Sequence, residues 1–123
     1  MSKKRVFISF DYDNDLNLKN LLAGQAKLED SPFEISDWSM KEAAPEKDWE
    51  NKALARIKRS DIVVVLTGAQ TYKASGVKKE VRMARENNIP IIQIKPQGTN
   101  PVKVENAGVI YNWTWDNLKK LLK

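Results

Sequence analysis

A chain of 123 residues with a formal net charge of +5 is long enough for one ordinary domain, 1–123, and leaves no room for a second. It contains neither cysteine nor histidine. Disulfides, thiolate metal sites and cysteine nucleophiles are thereby excluded, and the usual metal ligand and the usual general base near neutral pH are missing, so chemistry must rest on carboxylates, hydroxyls, amines or backbone groups.

The predicted elements alternate. Arg5 to Phe10 is β-branched and aromatic and reads as a strand. Leu18, Leu21, Leu22 and Gln25 recur at helical spacing behind Asp13 or Asn14 as N-cap. Phe33 to Ser36 alternates as a second strand. Pro45, followed by Glu46 and Asp48, opens a helix with acids at its positive end, and Trp49, Ala53 and Ile57 form its apolar face. Asp61 to Thr67 is an unbroken apolar run suited to the centre of a parallel sheet. A helix from Ser75 to Asn88 follows, then a buried strand, Pro90 to Ile94. A loop from Lys95 to Ala107 stands where another helix is expected. A short edge strand, Gly108 to Tyr111, and a helix from Thr114 to Leu122 complete the chain.

This pattern predicts an α/β three-layer, flavodoxin-like sandwich with a five-stranded parallel sheet in the order 2-1-3-4-5. Ligands on such sheets bind outside the carboxyl ends of the strands. No apolar run approaches the roughly 20 residues that span a bilayer, and Val6 to Phe10 is too short for a signal-peptide core. A cytoplasmic protein without a membrane partner is expected. No aromatic-interleaved basic stripe accompanies the positive charge, so no nucleic-acid partner is expected either.

The loop after strand 1, Asp11-Tyr12-Asp13-Asn14-Asp15, has no glycine and three acids, which repel the phosphate of a flavin. A phospho-receiver needs an aspartate at the end of strand 3, and that strand ends Val65-Leu66-Thr67-Gly68. Among the other carboxylates, Glu80 lies on the predicted helix from Ser75 to Asn88. It lies about 60° from the centre of the stripe made by Val77, Val81 and Ala84, at 100° per residue. It is either a surface glutamate near a helix N-terminus or a carboxylate projecting into a cleft. Phe10 is either core or a stacking surface. Ser75 is an N-cap, a ligand contact or both. The set Lys73, Lys78, Lys79, Arg82 and Arg85 is a solvated face or an attractor of phosphate.

Arg5-Val6-Phe7-Ile8-Ser9-Phe10-Asp11 resembles the opening of TIR-like domains, in which Phe-Ile-Ser-Tyr or Phe-Ile-Ser-Phe runs into an acidic loop. Ser60 to Leu66 resembles their third strand. Tyr72 to Val81 resembles the segment that reads Ser-x-x-Trp-Cys-x-x-Glu in TIR enzymes, with Gly76-Val77 in place of Trp-Cys and Ser75 five residues before Glu80. The resemblance covers nearly the whole chain and is closest to stand-alone bacterial and archaeal TIR-like proteins of the Thoeris type. It implies cleavage of the nicotinamide–ribose bond of NAD⁺, with NAD⁺ as substrate and no further cofactor. Glu80 would be catalytic, and Phe10, Asp11, Tyr12 and Ser75 would bind substrate. It also implies a cyclic ADP-ribose-type product, a phage-derived activator, and self-association through the loop after strand 2, where Trp38, Ser39 and Met40 lie. The alternative function is a non-catalytic TIR-like adaptor working by self-association. Convergence of Glu80, Phe10 and Asp11 on one pocket separates the two.

Overall fold

The computed structural model describes residues 3–35 and 46–123, with the backbone alone at residues 12–13 and 46–48. The strands are β1 (Lys4–Ser9), β2 (Phe33–Ile35), β3 (Ile62–Leu66), β4 (Ile91–Lys95) and β5 (Ile110–Asn112). The helices are α1 (Tyr12–Ala26), α2 (Glu46–Lys58), α3 (Ser75–Glu86) and α4 (Trp115–Leu121), with a 3₁₀ turn at Thr71–Lys73. The sheet runs β2-β1-β3-β4-β5, and every pairing is parallel. The predicted order and the central places of β1 and β3 are therefore observed.

Burial follows from strand alternation. Val6, Ile8 and Phe10 pack with Leu22, Phe33, Leu118 and Leu122, which is the α1/α4 side of the sheet. Phe7 packs with Trp49, Ala53, Ile57, Val77 and Val81, which is the α2/α3 side. All five residues of β3 are buried, because helices cover both faces of the central strand. Each such valine contributes roughly 1.5–3 kcal/mol relative to exposure.

Three local expectations change. Helix α1 starts at Tyr12, so Asp13 and Asn14 lie within it and Asp11 holds the preceding position. Asp15 departs from helical geometry (φ −121°, ψ 22°), which sets the first turn at an angle to the rest. Leu21 is exposed, because the inward line runs through Leu22 and Ala26 and Leu21 stands about 100° away. The last helix begins at Trp115, and Thr114 caps it by accepting a hydrogen bond from the Asn117 N–H at 3.0 Å. Trp113 and Trp115 serve packing: Trp113 donates to Gln25 at 2.8 Å, and Trp115 donates to Asp30 while its ring lies 6.5 Å from Phe33.

No helix separates β4 from β5, as predicted, and one buried side chain secures the connection. Gln93 Oε1 accepts from the Val104 N–H (2.8 Å) and the Thr67 hydroxyl (3.2 Å). Its Nε2 donates to the carbonyls of Gly108 (2.9 Å) and Val104 (3.2 Å). Gly108 adopts φ +82°, and a Cβ there would collide with the Ile91 carbonyl, so glycine is required. Among the described residues no helix is long and apolar enough to cross a membrane.

Candidate functional site

Ser9 is the last residue of β1 and has the parity of Phe7, so its side chain faces α2 and α3. Its hydroxyl donates to Glu80 Oε1 at 2.7 Å. Both residues are 0% exposed. Glu80 is therefore no surface glutamate, and the flank position read from the sequence is a covered one. The reason is tertiary: α3 packs against both α2 and β1, which closes the flank that a helical projection leaves open. A carboxylate in such surroundings is costly unless hydrogen-bonded, and the short Ser9 contact is the strong, charge-assisted kind when Glu80 is ionised.

Asp11 follows immediately. It is 8% exposed, its carboxylate accepts from Asn14 Nδ2 at 2.6 Å, and its carbonyl accepts the N–H groups of Asn14 and Asp15. The arrangement holds the first turn of α1 over the end of β1. Phe10 is not brought to Glu80: it belongs to the core on the α1/α4 side, with 6% exposure, so the convergence of Glu80, Phe10 and Asp11 on one pocket expected of the enzyme is not observed. Ser75 is the first residue of α3 and exposed, and the capping position is Ala74, so the N-cap expectation is corrected. The Tyr12 side chain lies outside the described residues, as do Trp38, Ser39 and Met40. Of the basic set, Lys79 pairs with Glu50 on α2, whereas Lys78, Arg82 and Arg85 border a cleft on the other flank of α3.

A second polar cluster, not foreseen as a unit, lies where β1 and β3 end. The Thr71 hydroxyl donates to Asp15 Oδ2 at 2.9 Å and accepts the Gly68 N–H at 2.8 Å. A Cβ at Gly68 would stand 2.5 Å from Asp15 Oδ1, so only glycine lets the carboxylate approach this closely. Burial pushes the Asp15 carboxyl above its ordinary range, the Thr71 hydrogen bond opposes this, and repulsion from Asp11 adds to it. Asp15 and Gly68 line a cavity of about 410 Å³ between α1 and the loops after β3 and β4. The sequence signal for Ser9 was a hydroxyl inside an otherwise apolar strand. For Asp15 and Thr71 no local signal exists, since 56 residues separate them.

The arrangement thus offers one buried carboxylate held by a hydroxyl at the carboxyl end of the central strands, with the Asp11 carboxylate two residues along the chain from that hydroxyl. It can stabilise developing positive charge on a ligand admitted there. Comparison with known proteins bears on the fold and the family. No curated protein matches the chain. A solved structure, that of the CMP N-glycosidase BcmB from Clostridium botulinum, is similar at 20% identity over 96% of this chain and 97% of that one, with a TM-score of 0.63. At that identity the likeness is one of fold. The model of the family described as Thoeris protein ThsB, TIR-like domain, matches residues 7–101, from β1 through β4 and into the loop beyond it, and the chain belongs to that family.

Proposed function

We propose that the protein is an enzyme that breaks an N-glycosidic bond to ribose, with NAD⁺ as substrate and a cyclic ADP-ribose-type signal as product, acting in anti-phage defence. The observation that carries the reading is the buried Glu80 carboxylate gripped by Ser9 at 2.7 Å. Family membership and the N-glycosidase of like fold support the reaction class.

The chemistry asks for one carboxylate. Nicotinamide leaves from a cationic pyridinium and takes the bonding electron pair with it, so it departs neutral and needs no proton donor. Positive charge then develops on the ribose at C1′, as in glycosidases. A carboxylate beside that ring binds it more tightly as the charge grows, and low polarity around Glu80 strengthens the attraction. An oxygen of the adenosine ribose forms the new bond to C1′ and loses its proton to solvent, which gives the cyclic product. Water in its place gives ADP-ribose. Because Glu80 is fully covered, productive binding requires its cover to open. We further propose self-association through the loop after strand 2, where Trp38 and Met40 lie, as the event that keeps water from the reacting ribose.

The test is incubation with NAD⁺ across a hundredfold range of protein concentration, about micromolar upward, with chromatography of the products. Turnover per protomer should rise with concentration. The substitution Glu80→Gln should lower it by about two orders of magnitude. Because Glu80 is buried, circular dichroism must accompany the assay. A folded Glu80→Gln variant with full turnover, or a folded protein with no NAD⁺ consumption at any concentration, would remove the proposal in favour of the adaptor.

A further inference from the structure

A cleft of about 830 Å³ runs along α3 between that helix and residues 102–106. Its base includes Val81 and Val104, which are buried. Lys78, Arg82 and Arg85 stand on α3 at i, i+4 and i+7, a row about 10 Å long at 1.5 Å per residue. Lys103 joins them from the opposite wall. Among the described residues no carboxylate lies within ion-pair distance of Lys78, Arg82 or Lys103. Arg85 is steadied across the cleft by a hydrogen bond from Nη1 to the Asn106 carbonyl at 3.4 Å. Tyr72, partly exposed, borders the cleft at the end nearest the sheet's carboxyl edge. Glu86 and Glu105 border it at the Arg85 end.

We propose that this cleft is a second ligand site, separate from Glu80, that takes a short nucleoside diphosphate. Three features select that class. The volume is in the range of small-molecule sites, roughly 300–1,000 Å³. The two guanidinium groups and the two ammonium groups outnumber the two carboxylates, and guanidinium forks match phosphate oxygens. Tyr72 supplies an aromatic face at one end for stacking on a base. An acidic peptide fits less well, because an anionic run longer than the cationic row meets Glu86 and Glu105. The site is distinct from Glu80 by helix geometry: Lys78 and Arg82 each lie two positions from Glu80, about 160° around the helix. Glu80 points to β1, and the cationic row borders the cleft. The proposal does not depend on any reaction at Glu80.

The experiment is calorimetric titration of the full chain with ADP, adenosine, inorganic pyrophosphate and a short oligoglutamate. ADP should bind, and affinity should fall steeply with added salt. Pyrophosphate should bind about tenfold more weakly for want of stacking, and adenosine not detectably. The exposed-site variants Arg82→Glu and Lys103→Glu should each weaken ADP at least about tenfold, and Glu80→Gln should leave it within about twofold. The proposal is overturned if ADP does not bind at millimolar concentration, or if pyrophosphate or oligoglutamate binds as tightly as ADP. It is equally overturned if ADP binding survives Arg82→Glu and Lys103→Glu.

Discussion

Removing the Ser9 hydroxyl tests whether Glu80 is held as an ionised group. In Ser9→Ala the 2.7 Å donor to Oε1 disappears, and both positions are fully buried, so water does not simply replace it. A hydrogen bond to a charged group is worth about 1.5–3 kcal/mol, and one between neutral groups about 0.5–1.5 kcal/mol. In the Glu80→Gln background the serine still has an amide oxygen to donate to, but no charge. Ser9→Ala should therefore destabilise the parent by about 1.5–3 kcal/mol and the Gln variant by about 0.5–1.5 kcal/mol, a coupling of about 1 kcal/mol. Urea unfolding of the four proteins of this cycle at pH 7, followed by tryptophan fluorescence, measures it. Equal costs in the two backgrounds would show that the contact carries no charge-assisted component. The account of Ser9 as the group that holds an ionised Glu80 would then be wrong.

Two predictions concern the Asp15 cluster. Gly68→Ala should lower stability by about 1–3 kcal/mol, because its new Cβ forces the Asp15 carboxylate away from Thr71, and equilibrium unfolding will read this directly. The Asp15 carboxyl titrates above its ordinary 3.8, so its stabilising contribution is fully present below that value and is lost as pH rises through the folded-state pKa. Asp15→Asn should accordingly gain stability relative to the parent between pH 3.5 and about pH 7, as judged from urea midpoints at both ends. A pH-independent difference between the two proteins would contradict the assignment.

Much of the architecture was legible because it rests on local pattern. The run Ile62 to Leu66 is apolar at every position, which only a strand covered on both faces tolerates. The spacing of Trp49, Ala53 and Ile57 marked one helix face, and all three are in the core. The site was legible in part. Glu80 was singled out, but its helical angle left burial open, since that depends on α2 and β1 closing over the flank. Phe10 was ambiguous for a similar reason: alternation assigns it a face but not the company on that face. Serine favours the cap position, but the helix begins at Ser75 itself, one residue earlier than a serine cap allows, with Ala74 at the boundary. Pairings such as Asp15 with Thr71 join distant stretches and leave no periodic trace.

The Gln93 amide has a consequence for how far this scaffold can be trimmed. Parallel strands ordinarily need a dozen or more residues of crossover, commonly a helix, to return to the same edge. Here residues 96–109 make that return, and one amide supplies the donors and acceptor that position Val104 and Gly108. The return path is close to its shortest workable length, and its buried anchorage lies at Val104 and Gly108, with the bend before them held by the exposed Lys95–Thr99 contact. Tolerance to change should therefore be lopsided. Extra residues at the exposed bend Gln97–Asn100 extend a bight upstream of the anchor and leave the strands in register. Shortening the same bend pulls directly on Gln93, and through it on the position of β5.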